Sequence, residues 1–144
     1  MITQPRREAR LKAVHDHIRF ESRHALDELV QTFGKNPEWH NKAADEILTG
    51  HDAIRAFYSD LFGGFPDFWL DIRDEHVTDE AVTVEGLFGG THTGPWMGIP
   101  PTSKKVAVPF CAVFSFTEND RLKSETAYFD RYSILSQLGV ISPS

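Results

Sequence analysis

The apolar residues of this chain keep two different periods, and the change falls near Pro66. Ahead of it they recur at three and four. Leu11, Val14 and Ile18, then Leu26, Leu29, Val30 and Phe33, predict helix over 6–33 in two pieces. The stripe lapses through "FESRHALDE", where Ser22 can restart a helix as an N-cap, and Gly34 ends it. Ile54, Phe57, Tyr58, Leu61 and Phe62 make one face of a second helix at about 51–63. Gly63-Gly64 stops that helix and Pro66 bars its continuation. The intervening "KNPEWHNKAADEILTG" reads as a loop or irregular strand, punctuated by Pro37 and Gly50.

Beyond Pro66 the period falls to two. "DFWLDIRDEHV" alternates, with Phe68, Leu70 and Ile72 on one side, and Thr78-Asp79-Glu80 makes a turn. "AVTVEGLFGGTHTG" is a second strand run and "PWMGIPPTSKK" a long connection. "VAVPFCAVFSF" is a third strand, in which Pro109 calls for a bulge or an edge. "TENDR" is a hairpin turn, "LKSETAYF" a fourth strand, and a short helix at about 131–138 closes the chain. Helices, then a meander, then a terminal helix predict an α+β fold in one domain, 1–144. Its curved antiparallel sheet wraps around the N-terminal helices as a cone and leaves a central apolar pocket.

Composition sharpens this picture in two places. Aromatic residues make up 12% of the chain, 11 of them Phe, so rings either fill the core or line a cavity. The net charge of −6, with Lys104-Lys105 no more than a pair, argues against nucleic acid as a partner. One cysteine, Cys111, rules out an intrachain disulfide and permits a reducing compartment. It has no recognisable activating partner and is expected to be a buried, inert thiol. "MITQPRREARLKAV" has no apolar core of a leader, and no run of about 18 apolar residues follows, so a cytoplasmic protein with no membrane role is expected.

Two stretches carry a family likeness. "GTHTGPWMGIPPTSKK" resembles the Gly-x-x-x-Gly-x-x-x-Gly-h-Pro-Pro-Thr hairpin of SnoaL-like proteins, the polyketide-cyclase group within the nuclear-transport-factor-like, ketosteroid-isomerase-like cone fold. "YFDRYSILSQLG" resembles the tail of the same group, an aspartate a few residues before a helix ending Gln-Leu-Gly. The stretch "EWHNKAADEILTGHDAIRAFYSDLFGGFPDF" is similar to its pocket loop and helix. The likeness spans roughly residues 12–141. It implies a homodimer whose pocket binds a small hydrophobic molecule and works without cofactor or metal. It also implies a departure. The position matching the cyclases' acid/base aspartate is Ala127, and the one matching their histidine is Val113. Their polyketide closure cannot run here on that pair. Asn41 falls on their pocket asparagine and His92 on a hairpin histidine.

Proton abstraction beside a carbonyl needs a base in reach and a donor for the oxyanion. Glu125 shares a strand face with Ala127, so it points inward if Ala127 does; otherwise it is a rim residue paired with Lys123 or Arg121. His40 and Asn41 follow the first helices, where they serve a pocket mouth or merely cap a turn and meet solvent. His92, among glycines, is a pocket acid/base or a surface loop residue. Asp130 is a candidate catalytic group, although the N-cap of the last helix suits it better. The catalytic candidates are therefore His40, His92, Glu125 and Asp130. Trp39, Asn41, Phe57, Trp96, Met97 and Tyr128 are the candidates for substrate contact. His17 and Glu21 lie four apart on one helix face, but the sequence places no third ligand, so an ion pair or pocket-lining contact is expected rather than a metal. The expected function is a cofactor-free acid/base enzyme of isomerase, lyase/cyclase or hydrolase type on a hydrophobic carbonyl compound. The alternative is a binding module that has lost the chemistry.

Overall fold

The computed structural model describes residues 1–142, as four helices and one six-stranded sheet. Helix α1 (Gln4–Ser22) starts at Thr3, whose hydroxyl accepts from the Arg6 N–H at 3.4 Å. It breaks where His24 takes a left-handed φ of 55°, and α2 (Leu26–Gln31) follows from Ala25 with no side-chain cap, so Ser22 is not the cap. Strand β1 (Phe33–Asn41), a single 3-10 turn (Lys42–Ala44) and β2 (Glu46–Thr49) occupy the stretch read as loop or irregular strand. Next come α3 (His51–Gly64), β3 (Trp69–Val77), β4 (Ala81–Thr91), β5 (Lys105–Phe116), β6 (Leu122–Tyr128) and α4 (Arg131–Gln137).

The sheet order is β2-β1-β6-β5-β4-β3. The α+β class holds, with two strands more than the meander. The pair β1–β6 runs parallel; every other pair is antiparallel. A parallel pair needs a long crossover, and here it is everything from β2 to β5. Register breaks in β1, β3 and at the β5–β6 turn bend the sheet into a curve that does not close on itself. Its concave side receives Val82 and Val84 of β4, Ala112 and Phe114 of β5, and Ala127 of β6. Against these pack Val14 of α1, Leu29 of α2, and Ile54 and Tyr58 of α3.

A second cluster fills the other end: Phe65, Phe68, Trp96, Val106, Val108, Ile134 and Leu138. The residues that give the chain its family likeness act here, and they act as packing. The Thr93 and Gly94 N–H groups bond the Gly64 carbonyl at 3.1 and 3.2 Å, tying the hairpin to the end of α3. A Cβ on Gly94 would stand 2.1 Å from the Gly63 carbonyl oxygen, so only glycine fits. Gln137 bonds both the N–H and the carbonyl of Ala107, at 2.9 and 3.1 Å, and so completes β5 where β6 has ended. Pro109 lies in this stretch, past the last β5–β6 pair at Cys111 and Tyr128. It therefore occupies the edge position its missing N–H requires.

Candidate functional site

Between α1, α3, α4 and the concave sheet lies a cavity of about 70 Å³, several times what one water needs. Nine rings line it: Trp39, Phe57, Tyr58, Phe65, Phe68, Phe88, Trp96, Phe110 and Phe129. Glu21, Glu125 and Arg131 are the charged residues of its wall.

The two carboxylates reach it from opposite layers. Alternation along β6 turns Glu125 and Ala127 to the concave side, and both line the cavity. On α1 the buried residues are Val14, His17 and Glu21, spaced three and four apart. A histidine and a glutamate thus occupy the stripe that an amphipathic helix reserves for apolar residues. The His17 Nε2 stands 3.2 Å from Glu125 Oε1 and 4.0 Å from Glu21 Oε1. From α3 the Tyr58 hydroxyl donates to Glu125 Oε1 at 2.8 Å and lies 3.4 Å from His17 Nε2. His17, Glu21 and Glu125 are at most 8% exposed.

The hydrogen bonds fix the histidine's tautomer. The Thr32 hydroxyl donates to the Leu29 carbonyl at 2.6 Å, so its oxygen accepts from His17 Nδ1–H at 3.0 Å. Nε2 is left to face the carboxylates. Burial disfavours the charged imidazole, but the Glu125 charge and hydrogen bond, with Glu21 behind them, outweigh it and raise the His17 pKa. Burial, then the charge of Glu125, pushes Glu21 up to about 7. Burial and the same two carboxylates hold Tyr58 well above 10, so it stays a neutral donor. Two carboxyl groups therefore share an apolar cavity in different surroundings: Glu125 is bonded by Tyr58 and stands beside His17, while Glu21 is poised near neutrality. Arg131 adds no free charge, because both of its Nη atoms grip Glu46 at 2.9 and 2.7 Å.

Of the sequence candidates, Glu125, Trp39, Phe57 and Trp96 line this cavity. The others are placed elsewhere. His40 alternates with Trp39 and Asn41, so it sits on the opposite face of β1, with Nε2 3.4 Å from Glu38. Tyr128 likewise alternates away from Ala127 and is 44% exposed. Val113 pairs with Thr126 on that convex side, so no histidine is missing from the cavity there. His92 is buried, but in a niche apart from the cavity. It stacks on Phe65, its Nδ1 accepts from the Thr102 N–H at 3.2 Å, and its Nε2 has no partner among the described residues. Burial lowers its pKa. Asn41 is fully buried, its Oδ1 accepting from Ala44 N–H at 3.3 Å, outside the cavity wall. Met97 is 47% exposed at the hairpin tip, and Asp130 is exposed and caps α4 by accepting from Tyr132 N–H at 3.0 Å. Cys111 is half-buried rather than buried; partial desolvation, then the charge of Glu85, raises its thiol pKa. Sequence reasoning paired His17 with Glu21 but did not join them to Glu125, and it read Tyr58 only as part of the apolar face of the second helix. The available signal was two polar residues on the inward stripe of α1.

A curved, unclosed sheet packed over helices defines a ketosteroid isomerase-like fold. The model of the SnoaL-like polyketide cyclases matches residues 11–138, and the chain belongs to that family. Solved structures agree on the fold. One assigned as a SnoaL-like polyketide cyclase from Jannaschia sp. CCS1 superposes with a TM-score of 0.83 at 19% identity, covering 100% of this chain and 99% of that one. A ketosteroid isomerase-like protein from Catenulispora acidiphila, in complex with trimethylamine, gives 0.74 at 19% identity over 91% and 97%. The epoxide hydrolase/cyclase-like enzyme SalBIII, of pyran ring formation in the polyether salinomycin, gives 0.74 at 15% over 88% and 94%. No curated protein sequence matches the chain.

Proposed function

We propose that this chain is a cofactor-free acid/base enzyme that moves a proton on a small, ring-bearing hydrophobic molecule with a carbonyl or epoxide oxygen. The observation that carries this reading is Glu125. It is 7% exposed on an apolar cavity, bonded by Tyr58 and beside His17. Glu125 takes the proton from carbon, with His17 and the Tyr58 hydroxyl beside it to steady the carboxylate. Glu21, in its protonated form, gives its proton to the oxygen as charge develops there. Return of the Glu125 proton to a second carbon, and of the oxygen's proton to Glu21, completes an isomerisation with all groups restored. The same pair suits epoxide opening: Glu125 deprotonates the attacking hydroxyl and Glu21 protonates the leaving oxygen. The family, and the likeness in fold to an epoxide hydrolase/cyclase-like enzyme, support the class.

The test is a panel of polycyclic ketones and epoxides, followed by NMR for deuterium uptake from heavy water and for ring opening. Turnover that falls by about 10²–10⁴ in Glu125→Gln is the expected result. A ligand that binds but emerges unchanged, from wild type and variant alike, overturns catalysis and leaves the binding-module reading.

A further inference from the structure

We propose that His17, Glu21 and Glu125 form a binding site for a divalent transition-metal ion of the zinc class, with the cavity as its open side. One donor atom from each residue can be chosen so that all three lie within 4.8 Å of one another. Ligand atoms around a tetrahedral ion with bonds of about 2.0–2.1 Å stand roughly 3.3 Å apart. His17 Nε2 already stands 3.2 Å from Glu125 Oε1 and 4.0 Å from Glu21 Oε1.

Three features beyond proximity point to an ion. The first is the histidine's support. A metal-binding imidazole donates its other N–H to a fixed acceptor, which sets the tautomer and aims the lone pair. Thr32 does this for His17 Nδ1, and is itself held by the Leu29 carbonyl. The second is Glu21. It is 8% exposed and borders the cavity, and the groups facing it are His17, at 4.0 Å, Tyr58 and Glu125. A buried carboxylate whose nearest histidine stands 4.0 Å off, and pairs more closely with Glu125, is short of a positive partner. The third is the open side: three protein ligands facing a cavity leave a position for water or ligand. One imidazole and two carboxylates together neutralise a divalent ion, and an imidazole ligand favours zinc, cobalt or iron over magnesium or calcium.

The proposal does not depend on the acid/base chemistry. An ion here occupies Nε2 and both carboxylates, so the metal-loaded chain lacks the free base that the proton chemistry uses. The two forms exclude each other, and each has its own assay.

The experiment titrates chelator-treated full-length protein with Co²⁺, followed by visible absorption, and with Zn²⁺, followed by calorimetry. One equivalent of Co²⁺ with ligand-field bands, displaced by one equivalent of Zn²⁺, is expected. Thr32→Val and Glu21→Gln each weaken the site by about 10–100-fold. His15→Gln, which removes an exposed histidine beside Glu75, leaves it unchanged. Absence of saturable one-to-one binding overturns the site, as does binding indifferent to Glu21→Gln and Thr32→Val. Neither result touches the deuterium-exchange test.

Discussion

His17 and His92 look alike until the far nitrogen is considered. Both are buried, at 1% and 0% exposure. Each places Nδ1 3.0 Å from a threonine hydroxyl, Thr32 or Thr102, and each packs against a phenylalanine ring. The threonine contacts differ in sense. Thr32 has spent its proton on a carbonyl, so His17 Nδ1 donates and Nε2 is free to meet the carboxylates. At His92 the Thr102 N–H donates to Nδ1, so the proton sits on Nε2, which faces no carboxylate and has no hydrogen-bond partner among the described residues. The pKa rises in one case and falls in the other. Burial and residue type do not mark a reactive histidine. What faces its second nitrogen does.

Matched substitutions test this contrast most strongly. His17→Asn and His92→Asn each keep a hydrogen-bonding group where Nδ1 stood and delete the Nε2 side. At His17 the change strands a buried carboxylate, and breaking such a pair costs about 3–5 kcal/mol. At His92 it removes a donor that had no partner, and only the lost ring volume counts, about 1–2 kcal/mol. Urea unfolding at pH 7 reads both. Equal losses would erase the distinction between the two histidines.

The pH dependence of stability is the next largest effect. Glu21 titrates at about 7 when folded against 4.5 as its ordinary value. The folded state therefore holds the proton more tightly, and stability falls as pH rises from about 4.5 to about 7. His17 acts in the same direction, since its raised pKa gives stability that is present below 6.5 and lost as pH climbs through the folded value. The groups facing Glu21 in this cluster are His17, Tyr58 and Glu125, from three elements. At the acid end Asp120, held low by Arg6 and Arg10, and Glu46, held low by Arg131, lose their contribution as pH falls through their folded pKa values. Glu21→Gln should therefore gain stability over wild type at pH 8, on the order of 3 kcal/mol, and little at pH 5. Denaturation midpoints at the two pH values check this. A variant parallel to wild type across the range would show that Glu21 is not held against its charge.

The same contrast explains what could be read from the sequence. α3 and the strands β4 to β6 were legible because each buries its own periodic face, and β3 because it half-buries one. β1 was not. Its polar run, with Asn36 at a φ of 50° and Pro37, becomes a strand by pairing with β6, some 85 residues on. The hairpin glycines and Gln137 were legible as a family signature, and they turn out to serve close packing and strand completion. The cluster of His17, Glu21 and Glu125 leaves no such signature. His17 and Glu21 meet Glu125 only across the fold, at a separation that no local spacing encodes. Glu125 itself was reachable from Ala127 by strand alternation. His40, Tyr128 and Val113 obey the same alternation on the other face. Their placement required knowing which side of the sheet is concave.

The smallest predicted effect concerns Asp130, the acidic residue nearest the family's tail motif. Its carboxylate accepts from the Tyr132 N–H in the first turn of α4 and is exposed, whereas Glu125 is buried and faces the cavity. Removing an N-cap of this kind costs about 1 kcal/mol. Asp130→Ala should therefore lower the unfolding midpoint modestly while ligand affinity and proton exchange stay within about twofold of wild type. Arg131, the next residue, keeps its grip on Glu46 and so holds α4 over the cavity without the cap. A tenfold loss of exchange at unchanged stability would instead draw Asp130 into the chemistry and move the acid/base pair away from the floor formed by α1, α3 and β6.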